Sequence, residues 1–114
     1  MSYQLRKILS FERDIKRLGK KYRSLRDDLL QLSRELQKNP FIGTHLGNGV
    51  HKIRMSIQSK GGGKRGGARV ITHTDVVVGI NEVTICFLAL YDKAEQSTIS
   101  DKTIRQLLQE AGIE

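Results

Sequence analysis

The sequence predicts an α+β fold: an N-terminal helical hairpin packed on a small antiparallel β-sheet, followed by a C-terminal helix. Three patterns lead there. Phe11, Ile15, Leu18, Tyr22, Leu25, Leu29, Leu32 and Leu36 recur at alternating gaps of four and three, which draws an apolar stripe along a helical face. Ile53, Met55 and Ile57 alternate with Lys52, Arg54, Ser56 and Gln58, the period of a strand with one buried face. Ile104, Leu107, Leu108 and Ala111 share one face of a last helix. With 114 residues, the chain is expected to form one domain over residues 1–114 with a modest core.

Taken in order, Tyr3–Ser10 reads as an edge strand. The stripe that follows fits either one long helix or two antiparallel ones. Gly19 and Lys20-Lys21 weaken a continuous helix, and Ser24 with Asp27 three residues on has the form of an N-cap with an acidic first turn. Two helices, near 11–20 and 24–38, are therefore favoured. Asn39-Pro40 ends the second, because the residue before proline disfavours helical geometry. Val50–Gln58 is the first strand of the second half. Ser59–Gly66 is too glycine-rich for regular structure, and Gly67–Thr74 is the return strand. Asp75–Ile80 is ambiguous. Val83–Tyr91 is apolar on both faces, which places it centrally in the sheet. Ser100 starts the last helix and Gly112 ends it. The order β-α-α-β-β-β-α packs helices on one face and leaves the other partly open.

The charge is uneven. Twenty Lys+Arg against twelve Asp+Glu give +8, and residues 1–75 hold more than the whole excess: 17 basic side chains against 6 acidic. A basic front with a mildly acidic tail suits a polyanion such as nucleic acid, or an acidic protein partner. The lone cysteine, Cys86, lies in the apolar run Ile85-Cys86-Phe87-Leu88 and reads as a buried small hydrophobe in a reducing compartment. The N-terminus lacks the apolar stretch of a signal peptide, and no apolar run approaches the ~20 residues of a membrane span. A cytoplasmic location is expected, with no membrane partner. Three scattered histidines and one cysteine make no zinc pattern, and no Gly-x-x-x-x-Gly-Lys-Ser/Thr occurs around Gly61–Gly67. Neither a metal nor a small-molecule cofactor is expected.

The chemistry concentrates between Lys52 and Arg69. Lys52, Arg54, Lys60, Lys64, Arg65 and Arg69 occur there without an Asp or Glu. Lys52, Arg54 and Arg69 are expected on one exposed strand face, with Lys93 just past the central strand and Lys60, Lys64 and Arg65 on a mobile loop. An alternating basic strand face is often ordinary solvated surface. It is also a phosphate site, and neighbouring cations lower a lysine's pKa from its usual ~10.4 toward that of a base. The same cations would stabilise a phosphate under attack. That combination suits RNA cleavage by the RNA's own 2′-hydroxyl.

The chain resembles toxins of the RelE/ParE superfamily from bacterial type II toxin–antitoxin modules. The resemblance rests on Phe11-Glu12-Arg13-Asp14-Ile15-Lys16-Arg17-Leu18, Lys38-Asn39-Pro40, Lys52-Ile53-Arg54, the block Gly63-Lys64-Arg65-Gly66-Gly67-Ala68-Arg69-Val70-Ile71, and Tyr91-Asp92-Lys93. The block resembles the HigB-like and related RelE-like branch more than RelE proper. The resemblance implies a RelE-like fold, a cognate antitoxin, and cleavage of mRNA on the ribosome. It implies Lys52 and Arg54 as base and phosphate ligand, Arg69 as a contact to the scissile phosphate, and Lys93 as the group that stabilises or protonates the leaving oxygen. RelE proper then carries a tyrosine that positions the RNA base; the comparable Ser97-Thr98-Ile99 has none, and Tyr91 is not carried over to that role by position. The alternative is a non-catalytic binding protein on the same scaffold, either a gyrase poison or a degenerate toxin held by its antitoxin.

Overall fold

The computed structural model describes residues 2–114. Strand β1 (Ser2–Lys7) runs into α1 (Leu9–Gly19) and α2 (Leu25–Lys38). Then come β2 (Thr44–Gly47), β3 (Val50–Met55), a single helical turn α3 (Gly63–Gly66), β4 (Ala68–Val77), a 3₁₀ turn (Val78–Ile80), β5 (Glu82–Asp92) and α4 (Asp101–Glu110). The five strands lie in the order β1-β5-β4-β3-β2.

The helical stripe behaves as its spacing demands. Phe11, Ile15, Leu18, Tyr22, Leu25, Leu32 and Leu36 are buried and Leu29 is partly so, one apolar seam carried round the α1–α2 corner. It packs on the sheet face of Ile53, Val70, Phe87 and Leu90; the Phe11 and Phe87 rings stand 5.1 Å apart. Ser24 starts α2 but does not cap it. Its hydroxyl donates to Asp28 Oδ2 (2.8 Å) and accepts the Ser59 N–H (2.8 Å). Buried Asp28 also accepts the Gln58 N–H (3.2 Å), so this corner ties α2 to the chain leaving β3 instead of ending a helix.

The sheet is mixed, not antiparallel. β1 pairs parallel to β5, Ser2↔Glu82 through Lys7↔Phe87, and the remaining pairs are antiparallel. No tight turn joins β1 to β5, so the direction of the pair is set by the way the helical hairpin returns the chain. The strand is also shorter than expected: the chain turns at Ile8, and Leu9–Ser10 already belong to α1.

α4 lies on the face opposite the hairpin, which corrects the expectation of helices on one face only. Cross-strand register puts Val50, His73 and Cys86 together on that face. Ile104 and Leu108 line a cleft with Val50, Gly112 and Ile113 line one with His73 and Cys86, and Arg6 donates to the Ala111 carbonyl (2.8 Å). The apolar character of β5 on both sides requires a second layer, because Ile71, Cys86 and Ala89 would otherwise face water. A bulge at Leu88, where Ile71↔Ala89 is followed by Thr72↔Phe87, lets the extra apolar residue fit. β2 was not foreseen; Asn48-Gly49, both at positive φ, form its turn into β3.

Candidate functional site

The site is a row across three strands. Arg54 on β3 stands opposite Arg69 on β4, and Arg69 opposite Tyr91 on β5. Directly opposed residues have Cβ atoms about 4.5–5.5 Å apart and point to one face. Lys52 lies one step along on the same face, opposite Ile71. Lys93 follows the end of β5, its N–H donating to the Gly67 carbonyl (3.1 Å). Lys52, Arg54 and Arg69 thus share the α4 face, and the Lys93 backbone borders the same end of the sheet. Among the described residues none of the four forms an ion pair.

Exposure within the row differs from expectation. Arg54 is exposed and Lys52 half-buried, but Arg69 is only 5 % exposed. The Ser59–Gly66 segment is not a free loop: α3 folds back over Arg69. Arg69 Nη1 donates to the carbonyls of Lys64 and Ala68, and Nη2 to that of Arg65, each at 3.2 Å. Gly67 makes this return possible. A Cβ there would sit 2.2 Å from the Met55 carbonyl oxygen, so only glycine lets the two strands meet at the base of the turn.

Lys64 and Arg65 are exposed on the turn as expected. Lys60 is not a loose cation. Its ammonium lies 2.7 Å from Asp92 Oδ1, in a knot of residues distant in sequence. Asp92 is fully buried and also accepts the Tyr22 hydroxyl and the Ala94 N–H (3.0 Å), while Lys21 stands 3.6 Å away. Burial pushes the Asp92 carboxyl up; Lys60, the Tyr22 hydroxyl and the Ala94 N–H outweigh it and leave its pKa at about 2. The reason Lys60 departs from expectation is therefore a buried carboxylate that needs a cation. The signal lay in Tyr91-Asp92-Lys93, where an acid sits at the end of an otherwise apolar strand.

A cleft of about 480 Å³ opens beside the row, between α2 and the end of β3, lined in part by Arg54, Lys64, Gln58, Gln31, Arg34 and Glu35. The histidines gather elsewhere, around the β2–β3 turn. The rings of His45 and His51 are 4.9 Å apart, and burial, opposed by the Gly49 carbonyl and aided by the charges of His45 and His73, holds His51 below the ordinary histidine pKa. Among the described residues no group of three His, Cys, Asp or Glu side chains is placed to hold a metal ion. No described helix is long and apolar enough to cross a membrane.

Like charges placed directly opposite on a sheet are destabilising. Arg54 and Arg69 stand opposed with no carboxylate paired to either among the described residues, which leaves positive charge that an anion can neutralise. The family model described as the RelE toxin of the RelE / RelB toxin-antitoxin system matches residues 7–113, nearly the whole chain, and the chain belongs to that family. It is a toxin of a toxin–antitoxin system, and membership implies an antitoxin partner. No individual curated protein matches it.

Proposed function

We propose that the protein is a ribosome-dependent endoribonuclease that cleaves mRNA by attack of the RNA's 2′-hydroxyl on the adjacent phosphate. The observation that carries this reading is the unneutralised row Arg54–Arg69, with Lys52 one step along the same face. Lys52 takes the 2′-hydroxyl proton. Arg54 and Arg69 hold the phosphate as negative charge grows on it. Lys93, at the rim beside Gly67, protonates the departing 5′-oxygen. Lys64 and Arg65 meet flanking phosphates, while Lys60 holds the base of the turn through Asp92. The chain would act where mRNA is translated, in the cytoplasm. Its antitoxin would present acidic side chains to this cationic face.

The test is inducible expression of the chain alone, with mapping of new 5′ ends on translated mRNA. Products should carry a 2′,3′-cyclic phosphate and a 5′-hydroxyl. Cleavage of a substrate with 2′-deoxyribose at the scissile nucleotide would rule the mechanism out, since the nucleophile would be missing.

A further inference from the structure

One polar atom of the row is unaccounted for. Tyr91 faces Arg69 directly across β4 and β5, and its side chain is buried. Its hydroxyl has no hydrogen-bond partner in the chain. The other orphan among the described residues, Thr72 Oγ1, lies on the opposite face of β4, under the hairpin with Phe87. A buried hydroxyl left without a partner costs on the order of 1–3 kcal/mol, and opposite Arg69 it is placed to meet a ligand of that guanidinium. Burial pushes the Tyr91 pKa up, opposed by the Arg69 charge, so at neutral pH the hydroxyl keeps its proton and can donate.

Arg69 is in a matching state. Three of its five N–H groups go to main-chain carbonyls, leaving Nε–H and one hydrogen of Nη2 without a partner. Its three bonds are at the long end of the usual range and all run to neutral acceptors. Bonds to a phosphate would be shorter and stronger, because both partners are charged. The cover is a short turn entered through three glycines. Gly61, Gly62 and Gly63 take φ of 79°, 80° and 64° in succession, and a side chain at any of them would meet nothing within 4 Å.

We propose that Tyr91 is a ligand of the RNA phosphate: its hydroxyl donates to a non-bridging oxygen of the group that Arg69 holds, and the α3 turn lifts to let the phosphate in. The proposal rests on the nuclease reading above and adds a contact to it. It explains why Arg69 and Tyr91 are both covered and incompletely bonded in the free protein.

The experiment is Tyr91→Phe, which removes only an atom that has no hydrogen-bond partner in the free chain. Its thermal midpoint should equal or exceed that of the wild type. Single-turnover cleavage of mRNA on translating ribosomes should fall 10- to 100-fold. Cleavage at the wild-type rate overturns the proposal, as does a rate loss matched by a lower midpoint, which would mark Tyr91 as structural. If the wild type itself cleaves no mRNA, the nuclease reading has failed, and a second measurement decides the contact alone. That measurement is the affinity for a short single-stranded RNA oligonucleotide made non-cleavable by 2′-O-methylation. Several-fold weaker binding by Tyr91→Phe supports the contact; equal binding overturns it.

Discussion

Asp92→Asn should separate the charge knot from the rest of the fold. The carboxyl is fully buried and its pKa is about 2, against an ordinary value of 3.8. A depression of nearly two units corresponds to about 2.5 kcal/mol of folding free energy. Lys60 keeps 22 % of its side chain exposed, so solvent screens part of the attraction, and about 2 kcal/mol is the expected loss at pH 7. For a chain of this length that is a fall of about 8 °C in thermal midpoint. The sign with pH follows from the depressed pKa. The carboxylate's contribution is complete above about pH 5, where it is ionised in both folded and unfolded chains, and fades as pH drops through about 2. Urea unfolding of wild type and Asp92→Asn, run in parallel at about pH 7, 5, 3 and 2, should show a gap that is constant down to about pH 5 and then closes. The slope with urea should not change, because the variant buries the same surface. A gap below about 0.5 kcal/mol at pH 7 would mean that desolvation cancels the knot's attraction. A gap persisting undiminished at pH 2 would show that packing of the side chain, not its charge, is responsible.

Lys52→Arg keeps the charge but should reduce cleavage at least 100-fold, since arginine cannot give up a proton at neutral pH; a fully active variant would leave Lys52 only a phosphate contact. Replacing Lys64 and Arg65 by Gln should lower the dependence of RNA affinity on salt by about 0.7 in log–log slope for each phosphate no longer neutralised, and an unchanged slope would make the turn a mere connector. Wild-type stability should decline between pH 7 and 5.5, because His51 is held below its unfolded value and the unfolded chain takes up a proton that the folded chain resists. Thermal midpoints across that range test this, and His51→Gln should flatten the decline. Leu25→Ala, removing a fully buried side chain at the start of α2, should cost about 2–5 kcal/mol in urea unfolding.

Local patterning made much of this protein legible. The stripe from Phe11 to Leu36 and the alternation in Val50–Gln58 are dictated by which side chains must leave water, and both survive in the structure. Arg54 and Arg69 on one face follow from the same period-two rule. What the sequence did not show was decided by partners far along the chain. The direction of β1 depends on β5. The position of α4 depends on apolar residues that β4 and β5 turn toward it. Ser24 looked like a cap because of its neighbours, yet its hydroxyl serves Asp28 and Ser59. Lys60 looked free because no acid lies near it in sequence; Asp92 is 32 residues on. Arg69 was expected on an exposed strand face, because nothing local says that α3 folds back onto it. Its burial under three main-chain carbonyls makes Arg69→Ala a stability variant as well as a site variant.

The knot at Asp92 and the edge pairing of β1 share a consequence for the newborn chain. β1 finds its hydrogen-bonding neighbour only when Glu82–Phe87 exists, and Lys60 its counter-charge only when Asp92 does. Contacts at such separation in sequence form late and slowly. While the polypeptide is still threading out of the ribosome, the turn that carries Lys64 and Arg65 has no fixed foot and the first strand has no neighbour. The sheet therefore closes, and the turn gains its anchor, only once the last strand, Glu82–Asp92, has been made.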